Sequence, residues 1–418
     1  MTDADRLLRI LARGDVPADL EDRARGLIGN VSWSRLFDRA EAHGVVPLAA
    51  RSLAALGWRD VPPPVRAAFD AARRINAARN ALVARALGRV LEGLGRAGVP
   101  VIPLKGVALS ESLYGDAGLR VSADLDVLVP RDCVPRAWTV LGELGYVMAD
   151  QEEPVEASEL GLLLESNIEY AFASPEAAGC PVELHWGIAW RWPHSAPALA
   201  DLWADARPRL FRGAPAFALG PEWELLYLAV HAARHRWEAL KWLVDIHHVC
   251  RRGGLDWEKV RAKADRFGLT DVLEISLQAS AALFDTPDPS SPPAPALPGW
   301  LDLFPATPDP LDIWQGALYP ARLFARPSER LGYLARVLLV PTLAERRLVR
   351  LPRRLRALYY PLRPLRLGGR WGLEVVRRIG RRSPSRLTSS RDQADHRGSM
   401  PPFTRRGAGP ARSKQERA

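Results

Sequence analysis

Apolar residues recur at helical spacing at both ends of the chain and in short β-branched runs between them. Leu7, Leu8, Ile10 and Leu11 fall on one helical face, and residues 65–95 are rich in Ala, Arg and Leu with few breakers, so residues 1–95 read as helices. Pro62-Pro63-Pro64 ends one element and opens the long helix, since proline is tolerated in a first turn. The texture changes at Gly98. Val99–Leu104 reads as a buried strand, Gly106–Tyr114 as a helix, Gly115–Gly118 as a loop, Asp124–Val129 as a strand and Asp132–Leu144 as a helix. Ile168–Phe172 and Val182–Trp186 are two more strands, with a Gly179-containing turn that predicts an antiparallel pair. From Glu222 to about Phe284 the pattern is helical again. Residues 287–310 hold nine prolines and read as a linker. Residues 311–382 resume increasingly Arg-rich amphipathic helix, and residues 383–418 have the composition of a disordered tail. Strands interspersed with helices, then a mostly helical remainder, predict an α+β protein: a small mixed-sheet core over 96–215, a helical N-terminal region over 1–95 and a helical lid region over 216–286.

Composition changes this picture in one respect. The chain carries 58 Lys and Arg against 48 Asp and Glu, net +10. Residues 341–418 hold 21 basic and 5 acidic residues, which leaves residues 1–340 at −6. A pI of 9.9 is therefore weak evidence that the body binds nucleic acid. Only five cations are lysine (Lys105, Lys241, Lys259, Lys263, Lys414), an Arg and Ala bias typical of a GC-rich bacterial genome. Each lysine retained in such a background invites a reason. Three scattered cysteines predict neither a disulfide framework nor a CxxC metal site, and the expected compartment is the reducing cytoplasm. The acidic start lacks the cations of a signal peptide, and no run of about 18 apolar residues predicts a membrane span.

The candidate chemistry lies in carboxylates. Asp124-Leu125-Asp126 opens a strand, and side-chain alternation projects both acids from one face, about 7 Å apart along the backbone. A divalent cation relieves their repulsion. Among 26 aspartates such a spacing also arises by chance, as at Asp3-x-Asp5, so the strand context carries the weight. In Val182-Glu183-Leu184-His185-Trp186, alternation puts Glu183 and His185 on the face opposite Val182, Leu184 and Trp186. Taken alone, that face also reads as solvated. Beside the Asp124 strand, Glu183 completes the three carboxylates that a two-metal site for phosphoryl or nucleotidyl transfer requires.

Leu104-Lys105-Gly106, Leu113–Arg120, Asp124–Val129 and Val182–Trp186 together resemble the bacterial uncharacterised nucleotidyltransferase family, of the polymerase-β-like superfamily. The resemblance extends to His231-x3-His235-Arg236-Trp237, Lys241-Trp242-x2-Asp245-Ile246, Leu351-Pro352-Arg353 and Tyr359-Tyr360, and covers roughly residues 1–370. It implies a Mg²⁺-dependent enzyme that moves a nucleoside monophosphate from an NTP to an acceptor hydroxyl, with Asp124, Asp126 and Glu183 holding two metals. The acceptor stays open among small molecules, peptides and proteins, and nucleic acid is the less favoured partner. A non-catalytic, antitoxin-like binding module is the rival. The superfamily usually has Gly-Ser before the acid pair to hold the triphosphate, whereas here Lys105-Gly106-Val107 has no serine. A helix N-terminus still offers N–H groups to an anion, and Lys105 offers a point charge.

Other residues have competing readings. Arg120 has a phosphate or acid partner by resemblance, or forms a structural bridge to Asp116 or Asp124. His185 orients Glu183 or contacts the acceptor. His231 and His235 share a helix face, but nothing nearby completes a zinc site, so a packed pair is expected. Lys241 and Asp245 have the spacing of an ordinary helix ion pair. The resemblance points to His235 and Lys241 as substrate contacts. Trp237 and Trp242 are expected in the core, and His247-His248 at the end of a solvated helix. Arg346–Arg382 either grips an anionic surface or lays arginines over the acidic body.

Overall fold

Helix α1 (Asp3–Leu11) opens with a reciprocal cap: the Asp5 N–H donates to the Thr2 hydroxyl, and the Thr2 N–H donates to the Asp5 carboxylate. Three short helices follow, α2 (Ala18–Ile28), α3 (Trp33–Ala42) and α4 (Val46–Ala55), then the 34-residue α5 (Pro63–Arg96). Pro63 and Pro64 occupy the first turn of α5, where their missing N–H groups cost nothing. The computed structural model describes residues 2–149, 157–174, 179–189, 192, 194–286, 304–305, 319–324 and 326–369. Most of the proline-rich segment 287–310, residues 370–382 of the basic region and the whole tail 383–418 lie outside the described residues. The described residues up to Leu367 form one contact unit.

The fold is mixed α and β, as the sequence predicts. Five strands, β1 (Ile102–Pro103), β2 (Leu125–Leu128), β3 (Val147–Met148), β4 (Glu169–Ala173) and β5 (Val182–His185), make one sheet in the order β1-β2-β5-β4-β3. The pair β2–β5 is parallel and the other pairs are antiparallel. Helix α6 (Gly106–Tyr114) links β1 to β2, and α7 (Val134–Glu143) and α8 (Ala157–Ser166) follow. Both faces of the sheet are covered. Leu125, Val127, Val182 and Leu184 pack into one core with Val83, Leu87, Val90 and Leu94 of α5 and with α7. Leu128 and Ile102 turn the other way, into a second core. Alternation along each strand thus divides the apolar interior in two.

The second core joins parts of the chain that are distant in sequence. Leu7, Leu11 and Leu53 of the N-terminal helices share it with α10 (Pro221–Arg234), α11 (Leu240–Arg252) and α13 (Thr270–Phe284). Helices α9 (Ser195–Ala204) and α12 (Trp257–Arg266) complete this layer. Trp237 lies in the core as expected, its Nε1–H donating to Ser276 Oγ at 2.7 Å. The expectation of a solvated His247-His248 is overturned. His247 is 1% exposed, with Nδ1 2.9 Å from Thr286 Oγ1, and His248 Nε2 lies 2.7 Å from the Arg13 carbonyl. Burial holds His247 at a pKa of about 3, so it is neutral.

Two strand readings also need correction. The run Val99–Leu104 is a strand only at Ile102–Pro103. A hairpin that the pattern did not suggest, β6 (Arg207–Phe211) and β7 (Ala214–Ala218), forms a second sheet. Its prolines and weak alternation hide it. The one local signal is Arg212-Gly213, both at positive φ, which makes the tight reverse that a two-residue hairpin needs. The expected antiparallel pair is present as β4 and β5. Among the described residues, no helix is long and apolar enough to cross a membrane.

The loop that precedes the acid pair hangs from α5. Asn80, fully buried, donates through Nδ2 to the carbonyls of Ala117 (2.6 Å) and Arg120 (2.7 Å). Asn80→Ala leaves both carbonyls without that donor. The expected cost is about 1–3 kcal/mol, read as a lower urea midpoint at unchanged slope. A shift under about 0.5 kcal/mol would show that the loop is held elsewhere.

Candidate active site

The parallel register of β2 and β5 sets Asp126 opposite Glu183. His185 is two residues further along β5, on the same face, and the antiparallel register of β4 sets Glu169 opposite His185. Four polar side chains therefore converge on one patch of the sheet. Asp126 is 3% exposed and His185 2%. Lys105 Nζ lies 2.8 Å from Asp126 Oδ1, and His185 Nε2 lies 3.1 Å from the same oxygen and 3.5 Å from Glu183 Oε2. The other imidazole nitrogen, Nδ1, is 2.9 Å from Glu169 Oε2. Arg234, at the end of α10, donates to both Glu169 oxygens, at 3.0 and 2.7 Å. The donor atoms of Asp126, Glu183 and His185 all lie within 4.8 Å of one another.

The charges bias one another. Burial works against ionisation of Asp126, but Lys105 and His185 outweigh it and hold the carboxyl well below its usual range. Burial raises Asp124, and repulsion from Asp126 and Glu183 adds to that against Lys105, pushing it up to about 6. Burial pulls His185 down, yet its hydrogen bonds to Asp126, Glu169 and Glu183 lift it to about 10. Glu169 is opposed by burial and held far below its usual range by His185 and Arg234. One feature stays unbalanced: Asp126 Oδ2 is buried and has no hydrogen-bond partner among the described residues. A buried carboxylate oxygen without a donor, beside a second carboxylate and an imidazole, fits a divalent cation. Asp124 adds negative charge to this patch but stands outside the tight Asp126–Glu183–His185 group.

Lys105 is the N-cap of α6, and Gly106 sits at φ +68°, a left-handed conformation that favours glycine. A Cβ on Gly106 would stand 3.6 Å from Ser122 Oγ, so the conformation and not crowding selects glycine. Ser122 was not singled out from the sequence. It is 2% exposed and its hydroxyl lacks a partner among the described residues; its closeness to Gly106 brings a serine to the start of α6 from across the loop rather than from position 107.

The partner of Arg120 is neither Asp116 nor Asp124. Arg120 Nε donates to Asp245 Oδ2 at 2.9 Å, and the Tyr114 hydroxyl donates to Asp245 Oδ1 at 2.7 Å, all three groups buried. The acid partner implied by the resemblance thus lies on α11. This also overturns the expected Lys241–Asp245 ion pair, because Asp245 is engaged by Arg120 and Tyr114. The Lys241 ammonium stands instead 5.7 Å from the centre of the Trp242 ring. Burial, then Arg120, lowers it to about 8, with Asp245 acting in the opposite direction. His231 and His235 form the expected packed pair, ring centres 5.0 Å apart, and half-buried Trp242 stacks on His235 at 4.5 Å. Burial and Arg234 hold His235 near 4, so it is neutral. Glu169 and Arg234 were also missed, because their place depends on the β4–β5 register and on where α10 ends.

With this geometry in hand, the chain can be placed among known proteins. A family profile described as uncharacterised nucleotidyltransferase matches residues 29–285, more than half of the chain, and the chain belongs to that family. The match includes every residue of the site described above and ends before Leu351–Tyr360. No curated protein and no solved structure matches the chain significantly.

Asp245→Ala would leave the Arg120 guanidinium buried without its acid. The expected loss is about 3–5 kcal/mol by chemical denaturation, and the Arg120→Met/Asp245→Leu double variant should recover most of it. A single-variant loss below 1 kcal/mol would mean that Arg120 reaches another acceptor.

Proposed function

We propose that this protein is a metal-dependent nucleotidyltransferase that moves a nucleoside monophosphate from an NTP to an acceptor hydroxyl. The observation that carries the reading is the buried, unpartnered Asp126 Oδ2, in register with Glu183 and close enough to Asp124 to raise its pKa. On this reading Asp124, Asp126 and Glu183 hold two Mg²⁺ ions, which supply Lewis-acid stabilisation to the attacking and leaving oxygens. Lys105 lends a positive charge to the phosphates at the start of α6, where Gly106 leaves the backbone open to close approach. Lys241 and His235, on the α10–α11 side, contact the substrate. Arg120, neutralised by Asp245, ties the loop before the acid pair to α11 and adds no net charge to this side.

A second reading is favoured by one observation. Lys105 and His185 both already neutralise Asp126 Oδ1, as they would in a module that binds a nucleotide without turning it over.

Calorimetric titration of ATP, GTP, CTP and UTP with Mg²⁺ separates these readings when paired with a pyrophosphate-release assay. The enzyme reading expects magnesium-dependent binding of one nucleotide, weakened at least about tenfold by Asp126→Asn in a protein of unchanged circular dichroism, with pyrophosphate released on addition of acceptor. Nucleotide binding that is indifferent to Mg²⁺ and to Asp126→Asn supports the binding module. No binding to folded wild type removes the donor-first enzyme.

Lys241 gives a pH test. Its ammonium is charged below about 8 and neutral above. Affinity for inorganic triphosphate should therefore fall as pH rises from 7 to 9, and Lys241→Arg should flatten that fall. An identical profile in the variant would remove Lys241 from the phosphate site.

A further inference from the structure

Glu169 and Arg234 have no part in the mechanism above, yet they are the most firmly oriented pair in the site. Arg234 grips both oxygens of Glu169, and Glu169 Oε2 faces His185 Nδ1 at 2.9 Å. The pair fixes the plane of the imidazole and turns Nε2 toward Asp126 Oδ1 and Glu183 Oε2, at 3.1 and 3.5 Å. A carboxylate behind the distal nitrogen of an imidazole is how metalloproteins orient a ligating histidine. The spacing also suits a shared ion. Neighbouring ligands of an octahedral cation with bonds of about 2.1 Å stand roughly 3 Å apart.

We propose that His185 Nε2 is itself a metal ligand, so that Asp126, Glu183 and His185 form a mixed oxygen–nitrogen set that prefers a first-row transition ion to Mg²⁺, with Mn²⁺ as its spectroscopic probe. The inference rests on the reading that Asp126 and Glu183 hold a divalent cation, and it adds the ligand and the metal class. Magnesium is satisfied by oxygen ligands, whereas an imidazole selects for first-row transition ions. Arg234 and Glu169 are positioning residues in this arrangement: they touch neither ion nor substrate, and they act by aiming His185. The alternative role for His185 is that of a fixed internal cation, paired with three carboxylates and never a ligand.

The test uses the full chain, Mn²⁺ alone and no nucleotide. Titration followed by electron paramagnetic resonance counts bound Mn²⁺, and pulsed measurements on the wild type detect a directly bound ¹⁴N without any variant. The expected result is one tightly held Mn²⁺ with imidazole nitrogen coupling, displaced by Mg²⁺ only in large excess. His185→Gln should abolish the coupling and narrow the Mn²⁺-to-Mg²⁺ preference at least tenfold. Glu169→Gln should keep the coupling and weaken Mn²⁺ binding about 10–100-fold. Mn²⁺ bound without nitrogen coupling would overturn the role of His185 while leaving a carboxylate metal site in place. No Mn²⁺ bound to folded wild type would overturn both that role and the metal-dependent reading beneath it.

Discussion

The parallel pairing of β2 with β5 is the constraint on which the site depends. It sets Asp126 opposite Glu183 on a sheet face that α10 and α11 cover. Removing a carboxylate from water costs several kcal/mol unless partners replace its hydration. The surroundings of Asp126 read as that replacement. Lys105 comes from the start of α6, His185 from β5, and Glu169 and Arg234 stabilise His185 from β4 and α10. Four acids (Asp124, Asp126, Glu169, Glu183) face Lys105, Arg234 and the His185 imidazole. Burial, with Asp126 and Glu183 adding repulsion, pushes the Asp124 carboxyl up to about 6, whereas Lys105 and His185 hold that of Asp126 low. On the α11 side the balance reverses. Arg120 and Asp245 cancel, and Lys241 makes no ion pair among the described residues, with Asp245 and Asp124 acting on it only at longer range. The site is therefore polarised, negative at the sheet and positive toward α11. A metal-bound polyphosphate matches that asymmetry.

What the sequence reveals about this arrangement follows from range. Helices over 3–96 and 106–114, the Asp124 strand and the β4–β5 pair are visible because periodicity, caps and a glycine turn act over a few residues. The adjacency of Asp126 and Glu183, 57 positions apart, is not written in any local pattern and came through the resemblance. Local rules fail where burial overrides them. The four-residue spacing of Lys241 and Asp245 suggests a helix pair worth tenths of a kcal/mol, but a buried Arg120 125 residues away needs that acid more. His247 and His248 look solvated because histidine is polar, yet each finds a partner inside the fold. Glu169 and Arg234 carry no signal until β4 and α10 are in register with β5.

The basic C-terminal segment is partly absorbed into the fold. Glu345 is fully buried and pairs with Arg363 and Arg366, and the Tyr359 hydroxyl bonds to the Val349 carbonyl and the Leu351 N–H. Leu343 packs into the core that backs β2. Arg363 and Arg366 here neutralise an internal acid. Residues 370–418 hold 13 basic and 4 acidic residues, so almost all of the net +10 lies outside the part that builds the site. The charge of the whole chain therefore says little about what that site binds.

The two oxygens of Asp126 divide the problem. Oδ1 is saturated by an ammonium and an imidazole, which keep the carboxyl ionised and fix its orientation. Oδ2 is left buried and bare. If stability alone had shaped this position, an apolar side chain on a strand already buried on both faces would serve better, since buried ion clusters seldom outperform apolar packing. Lys105 is one of five lysines among 58 cations, and its compact ammonium contacts Oδ1, where an arginine would bring a fork of five donors. A compact ammonium neutralises one oxygen and leaves the other open. A bare buried oxygen is the kind of local violation that folds keep where a ligand completes the site.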